Sequence, residues 1–488
     1  MLFNSFNFLI FFPAVTLVYF LVPQKIKYLW LLAASYYFYM CWNPKYAVLI
    51  LASTVITFLS GTVIAGAKTK AAKKWAVFVS FFLNLAILFA FKYFYFALDN
   101  FNFLRAFLKL PAYAPRFDIV LPVGISFYTF QALSYTVDVY RGDVLPEKNF
   151  FKYALFVSFF PQLVAGPIER SKNLLSQVNE EHHFDYLRVR RGLFIMLWGY
   201  FLKLVIADRA AILVNTVYDN ISAFNGAHIT LATVCFAVQI YCDFASYSLI
   251  AIGSAEVMGF RLMQNFKRPY FATSIADFWR RWHRSLSTWF RDYLYIPLGG
   301  NRKGRRRKYV NLMIVFLVSG LWHGASWHFV AWGAIHGLYQ VIEGITKGIR
   351  TSILKFMHIN ADNFVYVRFK RIAVFVLVCF AWIFFRSPDM ASSLFAVRRI
   401  FTDFGNINFA KMSEFGTDTP NTVVLACAVL VLFAASLLAN KNNELVIEFE
   451  KKNFPLRWTV YLLLIFAVLI FGVYGPGFEA SQFIYFQF

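Results

Sequence analysis

Apolar runs long enough to cross a lipid bilayer recur from one end of the chain to the other. Clear examples lie at residues 47–66, 75–96 and 458–475. A helix needs about 20 apolar residues to span a hydrocarbon core of roughly 30 Å, and we count on the order of 10–12 such segments, some of them interrupted. A transmembrane β-barrel would instead show short segments of alternating polarity. The sequence therefore predicts an all-α polytopic membrane protein.

The charged residues lie mainly in short loops between these runs. The formal net charge is +23, yet only 15% of the residues are charged, against about 25% in a soluble domain. The loops "KTKAAKK" (68–74) and "NRKGRRRK" (301–308) are predicted to be cytoplasmic by the positive-inside rule, close to anionic lipid head groups. This distribution argues against a nucleic-acid partner and places the uncharged N-terminus outside.

We expect a single transmembrane domain over residues 1–488. Peripheral helices are predicted at residues 1–96 and 371–475, followed by a C-terminal tail at 476–488. Between residues 119 and 345, proline, glycine and charged residues interrupt the apolar runs. Irregular backbone survives in a membrane only where protein or a water-filled cavity surrounds it, and intramembrane polar residues point inward by default. Residues 119–345 are therefore expected to form the functional core.

Three histidines lie in the apolar stretch "LWHGASWHFVAWGAIHG" at residues 321–337. If this stretch is one helix, His323 and His328 are about 140° apart around it, and no two of the three histidines have the i,i+3 or i,i+4 spacing of a shared face. We therefore expect no metal site from this helix alone. His323 is the best candidate for chemistry, because the glycine at Gly324 would let a substrate approach the backbone.

The segment at residues 277–300, "DFWRRWHRSLSTWFRDYLYIPLGG", is amphipathic. One interpretation is an interfacial helix with an aromatic belt and a basic face. The other is that it lines the cytoplasmic entrance of a site that binds an anionic cofactor through its arginines. Half of the twelve tryptophans lie between residues 279 and 332, which favours an aromatic-walled site in this part of the chain.

Six motifs connect the chain to a family of membrane enzymes. They are "LPVGISFYTFQ" (121–131), "FFPQLVAGPIER" (159–170), "QIYCDFASYSLIAIG" (239–253), "KRPYFATSIADFWRRWHRSLSTWFRDYLYIPLGGNRKG" (267–304), "GLWHGASWHFVAWGAIHG" (320–337) and "FIYFQF" (483–488). On these motifs the chain resembles the membrane-bound O-acyltransferase (MBOAT) family, in particular its bacterial branch of alginate O-acetylation proteins. The family implies a ring of tilted helices around a thin central core, with a tunnel that joins the two membrane faces.

The resemblance also implies roles for individual residues. The family histidine corresponds to His323, and a second polar catalytic position corresponds to His283. Relatives often have asparagine at the position of His328, which we therefore expect to be structural, and an acidic residue at the position of Leu249. The residues expected to support the site are His336, Asp243 and Asp277.

Acyl transfer from a thioester needs a base for the hydroxyl proton and donors for the developing oxyanion. We expect His323 to be the general base and His283 to orient the donor or to assist at the oxyanion. The donor is expected to be acetyl-CoA, without a metal. Tyr485 is either part of a packed tail or a nucleophile that relays the acyl group. The residues expected to bind the donor are Trp279, Arg280, Arg281, Trp282 and Arg284.

The resemblance implies O-acetylation of an exported polysaccharide at the bacterial inner membrane. The expected partners are an extracytoplasmic, esterase-like acetyltransferase of the SGNH class and the polysaccharide export machinery. D-alanyl transfer to teichoic acid is the alternative; the built-in "FIYFQF" tail and the length of the chain favour the polysaccharide. A transporter or flippase is a more distant alternative, which the lack of internal repeats disfavours.

Overall fold

The computed structural model of the chain describes residues 1–115, 117, 120–164, 166–407, 412–439, 445–475 and 483–484. The described residues form helices and loops, without a β-strand among them, which confirms the all-α prediction. Contacts divide the chain into two units, Met1–Leu193 with Ile250–Met263, and Phe194–Leu249 with Gln264–Phe488. The prediction of one domain with a central core stays a prediction.

The first unit contains helices of between 3 and 20 residues. Between them, polar side chains form hydrogen bonds across helix pairs: the Tyr153 hydroxyl donates to Thr57 Oγ1 at 2.7 Å, and the Ser53 hydroxyl to Asn84 Oδ1 at 2.6 Å. Such bonds and close packing hold helices together in lipid. The helices are α1 (Phe6–Leu21), α2 (Lys27–Met40), α3 (Ala47–Gly66), α4 (Lys70–Leu88), α5 (Phe94–Phe107), α6 (Ile125–Arg141), α7 (Phe150–Ser158), α8 (Phe160–Leu163) and α9 (Ser176–Val178).

The rest of the chain continues as helices of very different lengths. Two π-helical turns interrupt them, at Phe201–Ala207 and at Arg291–Tyr295. The helices are α10 (Tyr186–Tyr200), α11 (Asp208–Asp219), α12 (Gly226–Met258), α13 (Ile275–Arg281), α14 (Arg284–Phe290), α15 (Gly304–His323), α16 (Trp327–Ile345), α17 (Lys347–Phe356), α18 (Phe364–Arg386), α19 (Met390–Thr402), α20 (Thr419–Leu438), α21 (Leu445–Glu450) and α22 (Phe454–Phe471).

The chain is a membrane protein. Among the described residues, 5 helical stretches are long and apolar enough to cross a membrane, judged by length and composition, and α1 is a shorter apolar helix. The other segments counted in the sequence do not reach these limits of length, hydropathy or charge. The five stretches are Pro44–Gly66, Lys70–Phe107, Gly226–Met258, Thr419–Leu438 and Phe454–Phe471.

Two segments that were expected to be continuous helices are broken. Helix α15 ends at His323 and α16 begins at Trp327, so the expectation of one helix through residues 321–337 is wrong, and the angles derived from it do not apply. The interpretation of residues 277–300 as one interfacial helix is also wrong, because α13 and α14 are separate short helices on either side of Trp282 and His283. Each break leaves a histidine at the end of a helix.

Helices α15 and α16 pack with their backbones in contact. A Cβ atom on Gly320 would collide with the carbonyl oxygen of Phe329, and one on Gly333 would collide with the carbonyl oxygen of Phe316. Small residues at such interfaces let transmembrane helices approach closely. The two glycines therefore fix the position of the α15 terminus, where His323 lies.

Candidate active site

The two histidines expected to be catalytic are neighbours in the second unit. His323 is the last residue of α15, and His283 lies between α13 and α14. Their ring centroids are 6.4 Å apart, with 58° between the ring planes. His283 is 0% exposed and His323 is 3% exposed. The fold thus brings two buried imidazoles from separate motifs into one place.

A hydrogen-bonded turn around Asn265 holds His283. The backbone at His283 is left-handed, with φ of 42°, a conformation that costs a non-glycine residue about 1–3 kcal/mol. The Arg284 amide donates to the Asn265 carbonyl at 2.9 Å, and the Ser285 hydroxyl donates to Asn265 Oδ1 at 2.7 Å. Asn265 Nδ2 donates to Ser248 Oγ at 2.8 Å. Asn265 therefore ties the histidine turn to α12.

Aromatic rings surround the histidine pair. The ring of Phe244 lies 4.6 Å from that of His283, while Trp332 and Phe385 lie 4.9 Å and 5.4 Å from His323. Burial lowers the pKa of the His283 imidazole to about 3, so this ring is neutral at physiological pH. A neutral imidazole has one nitrogen that accepts a proton and one N–H that donates, as acid–base chemistry requires.

His336 belongs to the same aromatic cluster. The Trp279 indole N–H donates to His336 Nδ1 at 3.3 Å, which leaves Nε2 as the protonated nitrogen of a neutral ring. The ring of Trp332 lies 5.1 Å from that of His336 and also contacts His323. The ring of Trp332 thus contacts both histidines, and this position is suited to the supporting role expected of His336.

His328 has different surroundings. Its Nδ1 lies 2.9 Å from the carbonyl oxygen of Phe384, so the ring N–H donates to the backbone of α18, as expected for a structural histidine. The space beside Gly324 is also used for packing, since a Cβ there would collide with the ring of Phe329. In the structure this glycine accommodates an aromatic ring.

The residues expected to bind the donor separate into two groups. Trp279 and Trp282 are buried in the aromatic cluster. The arginines of this segment are more accessible: Arg280 is exposed, whereas Arg281 and Arg284 are partly buried. Asp277 lies 3.0 Å from Arg281 in an ion pair, and its supporting role stays a prediction.

A buried charged cluster also lies in the second unit. Lys203, on the π-helical turn Phe201–Ala207, lies 2.6 Å from Asp243 Oδ1 and 2.8 Å from Asp208 Oδ1. The Ile484 amide donates to Asp243 Oδ2 at 2.8 Å. The sequence singled out Asp243 but missed Lys203 and Asp208, although a lysine between apolar residues was a visible sign. Tyr485 lies outside the described residues.

Similarity to known proteins shows which family the chain belongs to. Residues 145–385 match the model of the membrane-bound O-acyltransferase family. The chain is 34% identical to the probable alginate O-acetylase of Pseudomonas putida, over 100% of both chains. The chain belongs to the membrane-bound O-acyltransferase family. The O-acyltransferase is also 34% identical to the peptidoglycan O-acetyltransferase of Helicobacter pylori, over 81% of this chain and 78% of that protein.

A weaker match extends to a different MBOAT activity. The chain is 29% identical to the teichoic acid D-alanyltransferase of Streptococcus thermophilus, over 45% of this chain and 56% of that protein. The family match at residues 145–385 includes His283, His323 and the Lys203 cluster, but it ends before Phe483 and Ile484. Among the described residues, no group of three or more histidine, cysteine or acidic side chains is arranged to hold a metal ion.

Proposed function

We propose that this O-acyltransferase transfers an acetyl group from cytoplasmic acetyl-CoA across the bacterial inner membrane for the O-acetylation of an exported polysaccharide. The observation that carries the proposal is the buried pair of His283 and His323, 6.4 Å apart within aromatic walls. The similarity to an alginate O-acetylase and a peptidoglycan O-acetyltransferase supports an exported glycan as the final acceptor.

In this mechanism His323 removes the proton of the attacking hydroxyl. The hydroxyl oxygen adds to the thioester carbonyl, the carbon–sulfur bond breaks, and the proton passes to the departing thiolate. The N–H of neutral His283 stabilises the oxygen on which negative charge develops. A preorganised donor is worth most in a site without water, and the rings of Phe244 and Trp332 provide such surroundings.

The donor is proposed to enter from the cytoplasmic side. Arg280, Arg281 and Arg284 supply positive charge for the phosphates of acetyl-CoA, and Trp279 and Trp282 supply an aromatic wall. The basic loop at residues 301–308 follows in the sequence and is placed in the cytoplasm by the positive-inside rule. The N-terminus, which carries no basic residues, is proposed to lie outside by the same rule.

The acceptor side is proposed to use the C-terminal tail. Tyr485 takes the acetyl group as a phenol ester, and an extracytoplasmic partner of the SGNH, esterase-like class passes it to the polymer during export. A tyrosine hydroxyl can act as a nucleophile when a base lies nearby. D-alanyl transfer remains the alternative, which the match to the teichoic acid enzyme supports over less than half of this chain.

His323→Ala tests the base. We expect acetyl ester on the exported polymer to fall about 10²–10⁴-fold, the usual contribution of general acid–base catalysis. The matched control is His328→Asn, which alters a buried histidine that hydrogen-bonds to backbone. Unchanged acetylation by His323→Ala, at unaltered protein abundance in the membrane, would contradict the proposal.

Tyr485→Phe tests the relay. The substitution removes a single hydroxyl, and we expect polymer acetylation to be abolished while the protein still inserts. Tyr474→Phe, which removes a hydroxyl from the described segment before the tail, is the control. Acetylation by Tyr485→Phe at the unaltered level would refute the relay.

A further inference from the structure

The Lys203 cluster has an unusual composition for the interior of a membrane protein. Lys203 is 1% exposed and faces two carboxylates, those of Asp208 and Asp243, each within 3 Å. Removing ions from water costs several kcal/mol each, and intramembrane charges are mostly functional. Neither Lys203 nor Asp208 has a role in the acyl-transfer mechanism above, so the cluster calls for a different explanation.

Two successive residues of the tail bind at this cluster. The Ile484 amide donates to Asp243 Oδ2, the carboxylate oxygen that does not face Lys203 in the ion pair. The ring of Phe483 stacks on Tyr247 at 4.5 Å and 28°. Lys203 Nζ lies 5.5 Å from the centroid of the Tyr247 ring. The lysine thus organises both the carboxylate and the ring that hold the tail.

The tail contacts also lead toward the histidine pair. The ring of Phe483 lies 5.6 Å from that of Phe244, which in turn packs against His283 at 4.6 Å. One aromatic ring therefore separates the bound tail from a catalytic position. Tyr485 is the next residue in the sequence after Ile484.

We propose that the Lys203–Asp243 pair is an anchor that fixes the register of the C-terminal tail at Ile484. Lys203 and Asp243 are then positioning residues. The inference rests on the proposed function, because it takes Tyr485 as the acyl relay. It adds two residues that hold the tail at Ile484, the residue before the proposed relay.

A polar anchor suits this task better than apolar packing. A tail rich in aromatic residues can pack against rings in more than one register. A charge-assisted hydrogen bond from one particular backbone N–H selects a single register, because such bonds are short and directional. A slip by one residue would move the relay by about 3.3 Å, whereas a misplacement of 1 Å already costs about 10²-fold in rate.

Ile484→Pro tests the anchor without disturbing the charged cluster. Proline has no backbone N–H, so the bond to Asp243 cannot form. We expect the turnover number for acetyl transfer to fall about 100-fold with an unchanged KM for acetyl-CoA, since the donor site is not altered. Ile484→Val retains the N–H and is the matched control, whose turnover number should equal that of the unaltered protein. Turnover by Ile484→Pro equal to that of the control would overturn the proposal.

Asp243→Ala provides a readout that does not depend on catalysis. It leaves Lys203 paired with Asp208, so the remaining cluster holds one charge of each sign. In the full-length protein in lipid nanodiscs, hydrogen exchange of the C-terminal peptide is expected to become fast, while peptides from α15 and α16 keep their protection. Continued slow exchange at Ile484 would overturn the anchor. Fast exchange supports the anchor even if Tyr485→Phe still transfers acetyl groups, so failure of the relay is distinguishable from failure of the anchor.

Discussion

The histidine pair and the Lys203 cluster are two buried polar centres among the described residues of the second unit, and they differ in their charge. The histidine pair consists of imidazoles enclosed by aromatic rings, with His283 neutral. The Lys203 cluster consists of ions in direct contact with one another. A buried imidazole can gain and lose a proton during a reaction. In a buried ion pair, by contrast, removal of one partner destabilises the fold because the other charge stays buried and uncompensated. The first centre is suited to chemistry, and the second to holding a segment in place.

The difference predicts opposite responses to substitution. Replacing a residue of the histidine pair should reduce transfer and preserve the fold. Replacing the lysine of the charged cluster should reduce stability first. The predictions below test this contrast, beginning with the largest effect.

Lys203→Met is expected to have the largest effect on stability. The substitution leaves the carboxylates of Asp208 and Asp243 buried without the cation between them, which costs about 3–5 kcal/mol. Thermal unfolding in detergent and abundance in the membrane measure this loss. The matched control is Lys172→Met, which removes an exposed ion pair with Asp143 at 3.3 Å, worth about 0–1 kcal/mol. Equal stability of the two variants would erase the distinction between the two centres.

Asn265→Ala is expected to reduce transfer strongly with a smaller loss of stability. It removes the side chain that accepts from Ser285 and donates to Ser248, so the turn at His283 shifts. We expect polymer acetylation to fall about 100-fold, measured as released acetate at matched protein abundance. Asn265→Asp keeps the acceptor for Ser285, and its polymer acetylation should lie between that of the unaltered protein and that of Asn265→Ala. Full activity of Asn265→Ala would show that aromatic packing alone positions His283.

The sequence predicted the helical class, and its motifs identified His283 and His323 as a pair. The break after His323 was not predicted, although Gly324 and Ser326 are residue types typical of helix ends. The break depends on how Phe329 packs over Gly324 and how α16 meets α15. The partnership of Lys203 with Asp243 was inaccessible, since it joins residues from different helices through tertiary packing. Leu249 lies on α12 beyond Tyr247 and is partly buried.

Gly320→Ala tests whether backbone packing also supports the chemical centre. The new Cβ would collide with the Phe329 carbonyl, and overpacking of this kind costs about 1–3 kcal/mol. We expect a lower unfolding temperature and reduced transfer, because the end of α15 shifts together with His323. Gly348→Ala is the control, since a Cβ there meets nothing within 4 Å. A Gly320→Ala protein as stable and active as Gly348→Ala would show that α16 can yield without moving His323.

The smallest effect is expected outside both centres, at the arginines of α13. Arg280 is exposed and Arg281 is paired with Asp277, so Arg280 has the more available charge for an anionic donor. Exposed charge contacts are worth about 0.2–1 kcal/mol, so Arg280→Gln should raise the KM for acetyl-CoA about two- to fivefold and leave the turnover number unchanged. The increase should shrink at high salt, which screens exposed charges. Arg302→Gln, in the basic loop, separates a local contact from the general positive field. If it raises KM equally, the donor responds to the net positive charge of this region, and α13 has no special part in binding it.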